Sequence, residues 1–353
     1  MRVALERFAR RWWVGELGLV GSALAVPTAP ISWAWAWAAR RRAHRFGLRG
    51  ATRIEGLMVV SVGNLAVGGA GKTPVAAWVA DHLAGAGVPT SVLTGAHGAD
   101  EALLHARWSP EIRVVAGRDR VGGAATAHAE GARAVVLDDG FQHLRLARDL
   151  DIVLLSADDP FPAPVLPRGP YREPPAALER ADVVVVTRRA ATEDAARALA
   201  AAAGRYAPEA LSAGAWLAPS RLRRLENWAA APASGGPEDT HGAPGLGRSS
   251  VLAVCGVARP DAFAAAVESV VGAPVELLAF GDHHAYTRSD LARVRARAAG
   301  RPVVVTAKDA VKLTNWLDGL GDAYVLEEAL RWTWGEEALV ALMQALVAEG
   351  AGR

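Results

Sequence analysis

A largely apolar run from Leu57 to Val62 is followed by the glycine-rich turn Gly63-Asn64-Leu65-Ala66-Val67-Gly68-Gly69-Ala70-Gly71-Lys72-Thr73-Pro74, and then by a helical pattern from Thr73 to Ala86. Buried strand, tight turn and helix in that order commit this part of the chain to a parallel sheet with helices on its faces. The turn also has a chemistry. Glycines let backbone N–H groups turn inward around phosphate oxygens, and the helix behind them adds its positive N-terminal end. Lys72 suits the β- and γ-phosphates of a nucleotide, and the Thr73 hydroxyl suits Mg²⁺. Pro74 falls in the first helical turn, where a missing N–H costs little. Ala66 replaces the first glycine of G-x-x-x-x-G-K-[ST], so the flanking strand and helix, rather than the bare G-K-T, separate a phosphate loop (Gly68, Gly69, Ala70, Gly71, Lys72, Thr73) from an ordinary glycine-rich connection.

Further apolar runs at 90–94, 112–116, 134–137, 151–156 and 182–187 read as strands, and 119–130 and 193–203 as helices. The expected class is α/β: a P-loop NTPase-type parallel sheet flanked by helices, with a smaller C-terminal α/β unit. That unit is read from strands at 250–255, 275–279 and 302–306 and helices at 261–271 and 289–298. Residues 228–250, rich in Gly, Pro, Ala and Ser, read as a flexible linker or loop. The expected division is a helical segment at 1–50, a kinase-like core at 51–227, the linker at 228–250 and the C-terminal unit at 251–353. Ala134-Val135-Val136-Leu137-Asp138-Asp139-Gly140 sets two carboxylates at the C-terminal end of a buried strand, where parallel sheets hold ligands. Asp138 and Asp139 are therefore candidate Mg²⁺ ligands; Asp-Gly would equally suit a plain turn.

The N-terminus is unlike the rest. Residues 17–39 carry no charge, Trp12, Trp13, Trp33, Trp35 and Trp37 crowd its ends, and Arg40, Arg41, Arg42 and Arg45 follow at once. End-placed aromatics and arginines suit a membrane interface with anionic headgroups. A cleaved signal peptide does not fit, because arginines rather than a small-residue cleavage site follow. A full span fits by length, and a buried soluble helix fits by composition. Pro27 and Pro30, expected to break the helix, and arginines on both flanks favour an interfacial anchor or helical hairpin dipping into one leaflet. The formal net charge of +2 gives no global field for nucleic acid. Cys255, the sole cysteine, excludes an internal disulfide and a multi-cysteine metal site.

The motifs, in their order along the chain, resemble those of the tetraacyldisaccharide 4′-kinases, lipid A kinases of Gram-negative inner membranes. Gly63-Asn64 through Pro74 is similar to their phosphate loop, and Leu137-Asp138-Asp139-Gly140-Phe141-Gln142-His143 with Arg145-Leu146 to their acidic strand end. Leu166-Pro167-Arg168-Gly169-Pro170-Tyr171-Arg172-Glu173-Pro174 resembles their L-P-A-G-P-x-R-E-P run. Phe280-Gly281-Asp282-His283-His284 resembles F-x-D-H-H, and Thr306-Ala307-Lys308-Asp309-Ala310-Val311-Lys312 resembles T-x-K-D-x-V-K.

The resemblance implies ATP and Mg²⁺ as cofactors and transfer of the γ-phosphate to the 4′-hydroxyl of tetraacyldisaccharide 1-phosphate, giving lipid IVA. It implies work at the cytoplasmic face of the inner membrane, with a lipid substrate and no obligatory protein partner. It makes Asp100, in Asp100-Glu101-Ala102 where the family has D-E-P, the candidate base, with His283 as its partner and Lys72 as a third catalytic residue. A His–Asp pair is physically sensible because each charge state supports the other's hydrogen bond. Arg118 and Arg120 are further candidates for steadying phosphate charge. The chain departs from the family at Thr94-Gly95-Ala96-His97-Gly98, where an S-R-G-Y-G-R type loop and a longer connection are the rule, and at Ala102, which replaces the proline. Two other functions use such a loop. A membrane-associated switch or partitioning ATPase usually carries lysine before the paired glycines, where Val67 stands. A nucleotide-binding scaffold that has lost catalysis would keep the loop and lack transfer.

Overall fold

β1 (Met58–Asn64) has neighbours on both edges and is buried along nearly its whole length, which is why its sequence is a continuous apolar run rather than an alternation. The computed structural model describes residues 2–95, 99–230, 250–314, 316 and 320–351. The chain forms two compact units that do not follow sequence order: 1–96, 112–216 and 331–353 make the first, and 97–111 with 217–330 the second.

The first unit begins with α1 (Arg2–Trp13) and α2 (Gly18–Arg49). Beyond β1 come α3 (Lys72–Gly85) and β2 (Thr90–Thr94). After α4 (Ala99–Trp108), which belongs to the second unit, follow β3 (Arg113–Ala116), α5 (Arg120–Ala129), β4 (Ala134–Asp138), β5 (Leu150–Ser156), β6 (Val183–Arg188), α6 (Glu193–Ala203) and β7 (Leu211–Arg224), which passes into the second unit from residue 217 on. The strand order is β3-β2-β4-β1-β5-β6-β7 and the pairings are parallel. Chain order and sheet order part company at β1, so the turn after β1 and the end of β4 lie side by side: Val62 is in register with Asp138. A parallel sheet places its ligand sites at such a switch point. The core on one face gathers Leu57, Val59, Val135, Leu137 and Leu146, and on the other Leu65, Phe141, Val153, Leu178 and Val186. Truncating a side chain as enclosed as Leu137 costs about 2–5 kcal/mol.

The second unit holds α4, then α7 (Leu225–Ala230), β8 (Val251–Cys255), α8 (Pro260–Val271), β9 (Val275–Ala279), α9 (Arg288–Ala298), β10 (Val303–Thr306) and α10 (Ala307–Leu313). β11 (Ala323–Trp334) gives its first part to this unit and its end to the first, which α11 (Glu336–Ala351) completes. The parallel order here is β11-β10-β8-β9, with Leu252, Val254, Val303, Val305 and Val325 in the core.

Two expectations change. Trp228, first residue of the stretch read as linker, lies in α7, fully buried, with its indole N–H on Glu327 at 2.9 Å; residues 231–249 of that stretch lie outside the described residues. Pro27 and Pro30 do not break the N-terminal helix, which runs unbroken for 32 residues. A proline's φ is already helical, and the penalty of its lost hydrogen bond is outweighed where packing holds the flanks. Here Trp12 donates to Gly21 O (2.8 Å), Ser32 to Val165 O (3.2 Å) and Trp35 to Arg172 O (2.8 Å).

Candidate active site

Gly68 and Gly71 adopt φ of 123° and 85°, conformations that a side chain strains, and α3 begins directly after them. The loop between is held from outside. Thr187 Oγ1, at the end of β6, donates to Ala70 O at 2.8 Å, and Arg189 to Gly69 O at 2.9 Å. Val67 N–H donates to Pro170 O at 2.8 Å. Because a peptide is planar, fixing the Ala70 carbonyl on Thr187 turns the Gly71 N–H the opposite way. That is the geometry of an anion cradle.

Lys72 lies half inside this cradle, with Nζ 3.3 Å from Asn64 Oδ1, 3.5 Å from Gly68 O and 3.7 Å from Asp139 Oδ1. Thr73 is buried in the first turn of α3, and Asp138 is fully buried at the end of β4. Asp139 takes a left-handed φ of 62°, which turns its carboxylate onto Arg172 at 2.8 and 3.0 Å. Burial would push that carboxyl up; the charges of Lys72 and Arg172 outweigh it and hold it well below the usual carboxylate range. The four groups Lys72, Thr73, Asp138 and Asp139 thus come together in the first unit. Asp139, shared by two cations, is the member that steadies Lys72.

The oxygens of Thr73 and Asp138 are the hard donors Mg²⁺ takes. Among the described residues no three His, Cys, Asp or Glu cluster as a metal cage. Arg118 is exposed. Arg120 is buried, and its guanidinium donates to the carbonyls of Thr94, Gly117 (2.6 Å) and Asp138 (3.2 Å). It therefore pins the ends of β2 and β4, which is a different task from binding phosphate.

Asp100 and His283 meet in the second unit although 183 residues separate them. Asp100 occupies the first turn of α4, where a negative charge is favoured. His283 sits in a left-handed turn (φ 56°) with its N–H on Gly256 O at 3.1 Å. Its Nδ1 lies 2.9 and 3.0 Å from the two Asp100 oxygens, so the neutral ring carries its proton on Nδ1 and keeps a lone pair on Nε2. Burial opposes the charge on Asp100, but the hydrogen bond and charge of His283, with Lys308 and Lys312, hold its carboxyl at about 2. The same hydrogen bond raises His283 above the ordinary imidazole value, against the cost of its burial.

Several side chains of the site carry no functional signal in the sequence. Asn64, Arg172, Asp309 and Lys312 stood inside quoted motifs without roles. Thr187 and Arg189 carried no local signal, because each acts on a loop about 120 residues away. Of the short loop after β2, residues 96–98 lie outside the described residues.

A family model described as LpxK, tetraacyldisaccharide-1-P 4′-kinase, matches residues 24–99 and 89–348. The tetraacyldisaccharide 4′-kinase of Anaeromyxobacter dehalogenans strain 2CP-C is 41% identical over 86% of this chain and 85% of its own length. That of Anaeromyxobacter sp. strain K is 40% identical over 96% and 94%. The solved structure of LpxK from Aquifex aeolicus in complex with ATP superposes with a TM-score of 0.67 at 24% identity, over 91% of this chain and 99% of that one. This last likeness establishes the shared fold.

Proposed function

This chain belongs to the tetraacyldisaccharide 4′-kinase family, and from that we infer that its phosphate loop holds ATP while the γ-phosphoryl group passes to the 4′-hydroxyl of tetraacyldisaccharide 1-phosphate. The product is lipid IVA, on the route to lipid A. The observation that carries this reading is the intact loop Gly68–Thr73 at the β1–α3 turn of a chain with this ancestry.

Phosphoryl transfer asks little covalent chemistry of a protein and much positioning. Backbone N–H groups of Gly69 to Thr73 and the α3 N-terminus take the phosphates. Lys72 Nζ, steadied by Asn64 and Asp139, meets the oxygens on which charge builds as the β–γ bridge breaks. Thr73 and Asp138 would hold Mg²⁺, which would supply charge neutralisation of the phosphates. The acceptor oxygen bonds to γ-phosphorus, ADP leaves, and the hydroxyl proton passes to the Asp100–His283 pair. Asp100 is buried and held near 2, whereas His283 is a third exposed and raised. The proton therefore comes to rest on the imidazole, with Asp100 as its counter-ion.

The lipid acceptor explains the N-terminus. Gly18–Gly47 is long and apolar enough to cross a membrane, by length and composition alone. Its middle, however, is hydrogen-bonded to the first unit through Ser32 and Trp35. Ahead of those bonds, residues 18–31 make about 20 Å of helix, short of the roughly 30 Å hydrocarbon core. We place the exposed face of α2 (Leu19, Val20, Val26, Trp33, Trp37) in one leaflet on the cytoplasmic side, where ATP is found, with Arg40, Arg41 and Arg45 at the headgroups.

The test is direct. Purified protein in detergent with γ-labelled ATP, Mg²⁺ and tetraacyldisaccharide 1-phosphate yields a labelled lipid of lower mobility. ADP formation with no labelled lipid would overturn the reading.

A further inference from the structure

Within the second unit, Lys312 of α10 buries its ammonium between two carboxylates. Its Nζ lies 3.2 Å from Asp309 Oδ1 and 3.5 Å from Asp100 Oδ2, and 5.6 Å over the ring of Tyr286. Asp309 is itself fully buried and immobilised. It accepts from Gly256 N–H at 3.0 and 3.1 Å, from Tyr286 OH at 3.0 Å and from Thr306 Oγ1 at 2.7 Å. The carbonyl of that same Gly256 takes the backbone N–H of His283.

These contacts close a ring: Asp309 to Lys312, Lys312 to Asp100, Asp100 to His283, His283 to Gly256, and Gly256 back to Asp309. The ring joins α4, the β8 end, the His283 turn and α10. Stability alone does not call for it, since buried ion pairs rarely stabilise more than apolar residues of similar size. What the ring does provide is a fixed electrostatic setting for one carboxylate.

We propose that Lys312, fixed by Asp309, is a positioning residue for the phosphoryl transfer: it holds Asp100 as an anion turned toward His283 and thereby sets the pH at which His283 gives up its proton. The proposal rests on the Asp100–His283 pair receiving the acceptor's proton. Around His283 the facing groups are Asp100, Asp282 (3.9 Å from Nε2) and Lys308. Around Asp100 they are His283, Lys308 and Lys312, with Glu101 neutralising Lys308 at 2.8 Å. Removing the positive charge of Lys312 makes the pair bind its proton more tightly, so His283 titrates at higher pH. Removing the negative charge of Asp309 acts in the opposite sense. A merely structural role has no such pair of opposite signs.

The experiment is a histidine Cε1 NMR titration of the full-length protein in detergent, with His283 identified by its loss in His283→Gln, beside the kcat–pH profile. In Lys312→Met the His283 titration and the acid limb of kcat move up together by about one pH unit, the size expected of one nearby, partly screened charge. At neutral pH kcat then falls about 10-fold with KM for ATP unchanged. Lys312→Arg restores both readings, and Asp309→Asn shifts the titration down. Lys312→Gln keeps the stem and a donor without the charge, and carries the same expectation should the methionine variant fold poorly. A His283 titration unmoved in Lys312→Met and Lys312→Gln overturns the proposal, even if kcat falls. Wild-type protein that titrates as described but labels no lipid counts against the kinase reading and leaves the coupling standing.

Discussion

Lys72 and Asp139 illustrate how one residue's role depends on a neighbour's charge. The ammonium is held 3.7 Å from a carboxylate that Arg172 also binds. Lys72→Ala removes the point charge proposed to meet the transferring group and leaves the Asp139–Arg172 pair in place. Loss of one such electrostatic contact costs about 10²–10³-fold in kcat, while the melting temperature stays near wild type because the side chain contributes little to the core. Steady-state kinetics beside a thermal melt tests this, and near-normal turnover removes Lys72 from the site.

Asp100→Asn tests the second unit in the same way. The His283 hydrogen bond to Asp100 is the first cause of its raised titration, so the variant brings the imidazole down and shifts the acid limb of kcat to lower pH, with lower plateau activity. The stability signs differ between the partners. Asp100, held at about 2, contributes fully above its unfolded value of about 3.9 and loses that contribution as pH falls toward 2. His283, raised, contributes fully below about 6.5 and loses it as pH rises through its folded value. The stability gap between wild type and Asp100→Asn is therefore widest near pH 5 and narrows to either side. A gap that widens steadily toward alkaline pH would contradict the pairing.

Among the elements, legibility followed burial pattern. β1, β4, β5 and β6 are enclosed on both faces, and a continuous apolar run is their direct sequence consequence. The phosphate loop was readable because its residues are contiguous. The Asp100–His283 pair was not readable from spacing, since the fold alone brings α4 to the His283 turn; only the family resemblance pointed to it. β7 and β11 went unread because Pro219, Arg221, Arg223 and Glu327 interrupt their apolar pattern. Those charges are answered across strands, by Arg221 on Glu327 at 2.5 Å and by Trp228 on the same carboxylate. Helix continuity through Pro27 and Pro30 is hidden from the sequence for a related reason: distant hydrogen bonds hold α2, and local propensity does not report them.

A Cβ at Gly214 would lie 2.1 Å from the Trp334 ring, which is itself covered by Arg197. The close approach is to a bulky ring and not to the end of a flexible chain, so Gly214→Ala costs about 1–3 kcal/mol by overpacking, read as a lowered denaturation midpoint with unchanged slope. Gly69→Ala, whose Cβ would meet nothing within 4 Å, is the control and leaves the midpoint unmoved. Equal midpoints for the two variants would show that Trp334 is not packed as described.

For the whole molecule, a soluble nucleotide and a lipid must be served by one protein, and α2 is where we propose that the lipid phase is met. Its exposed side combines two forces that experiment can separate. Leu19, Val26, Trp33 and Trp37 give an apolar contribution indifferent to headgroup charge. Arg40, Arg41 and Arg45 give an electrostatic one, about 1 kcal/mol per arginine on an anionic surface, falling off within a Debye length. Replacing the three arginines by glutamine should therefore weaken sedimentation with phosphatidylglycerol vesicles by about 100-fold at low salt, with little change on phosphatidylcholine and a shrinking difference as salt rises. Trp33→Ser with Trp37→Ser should weaken both vesicle types alike and leave the salt dependence intact. Neither set touches the Ser32 and Trp35 hydrogen bonds that seat the helix, so activity on a detergent-dispersed acceptor stays near wild type while activity on vesicle-borne acceptor falls with binding. A five-residue variant that still sediments with both vesicle types places the membrane contact elsewhere on the protein.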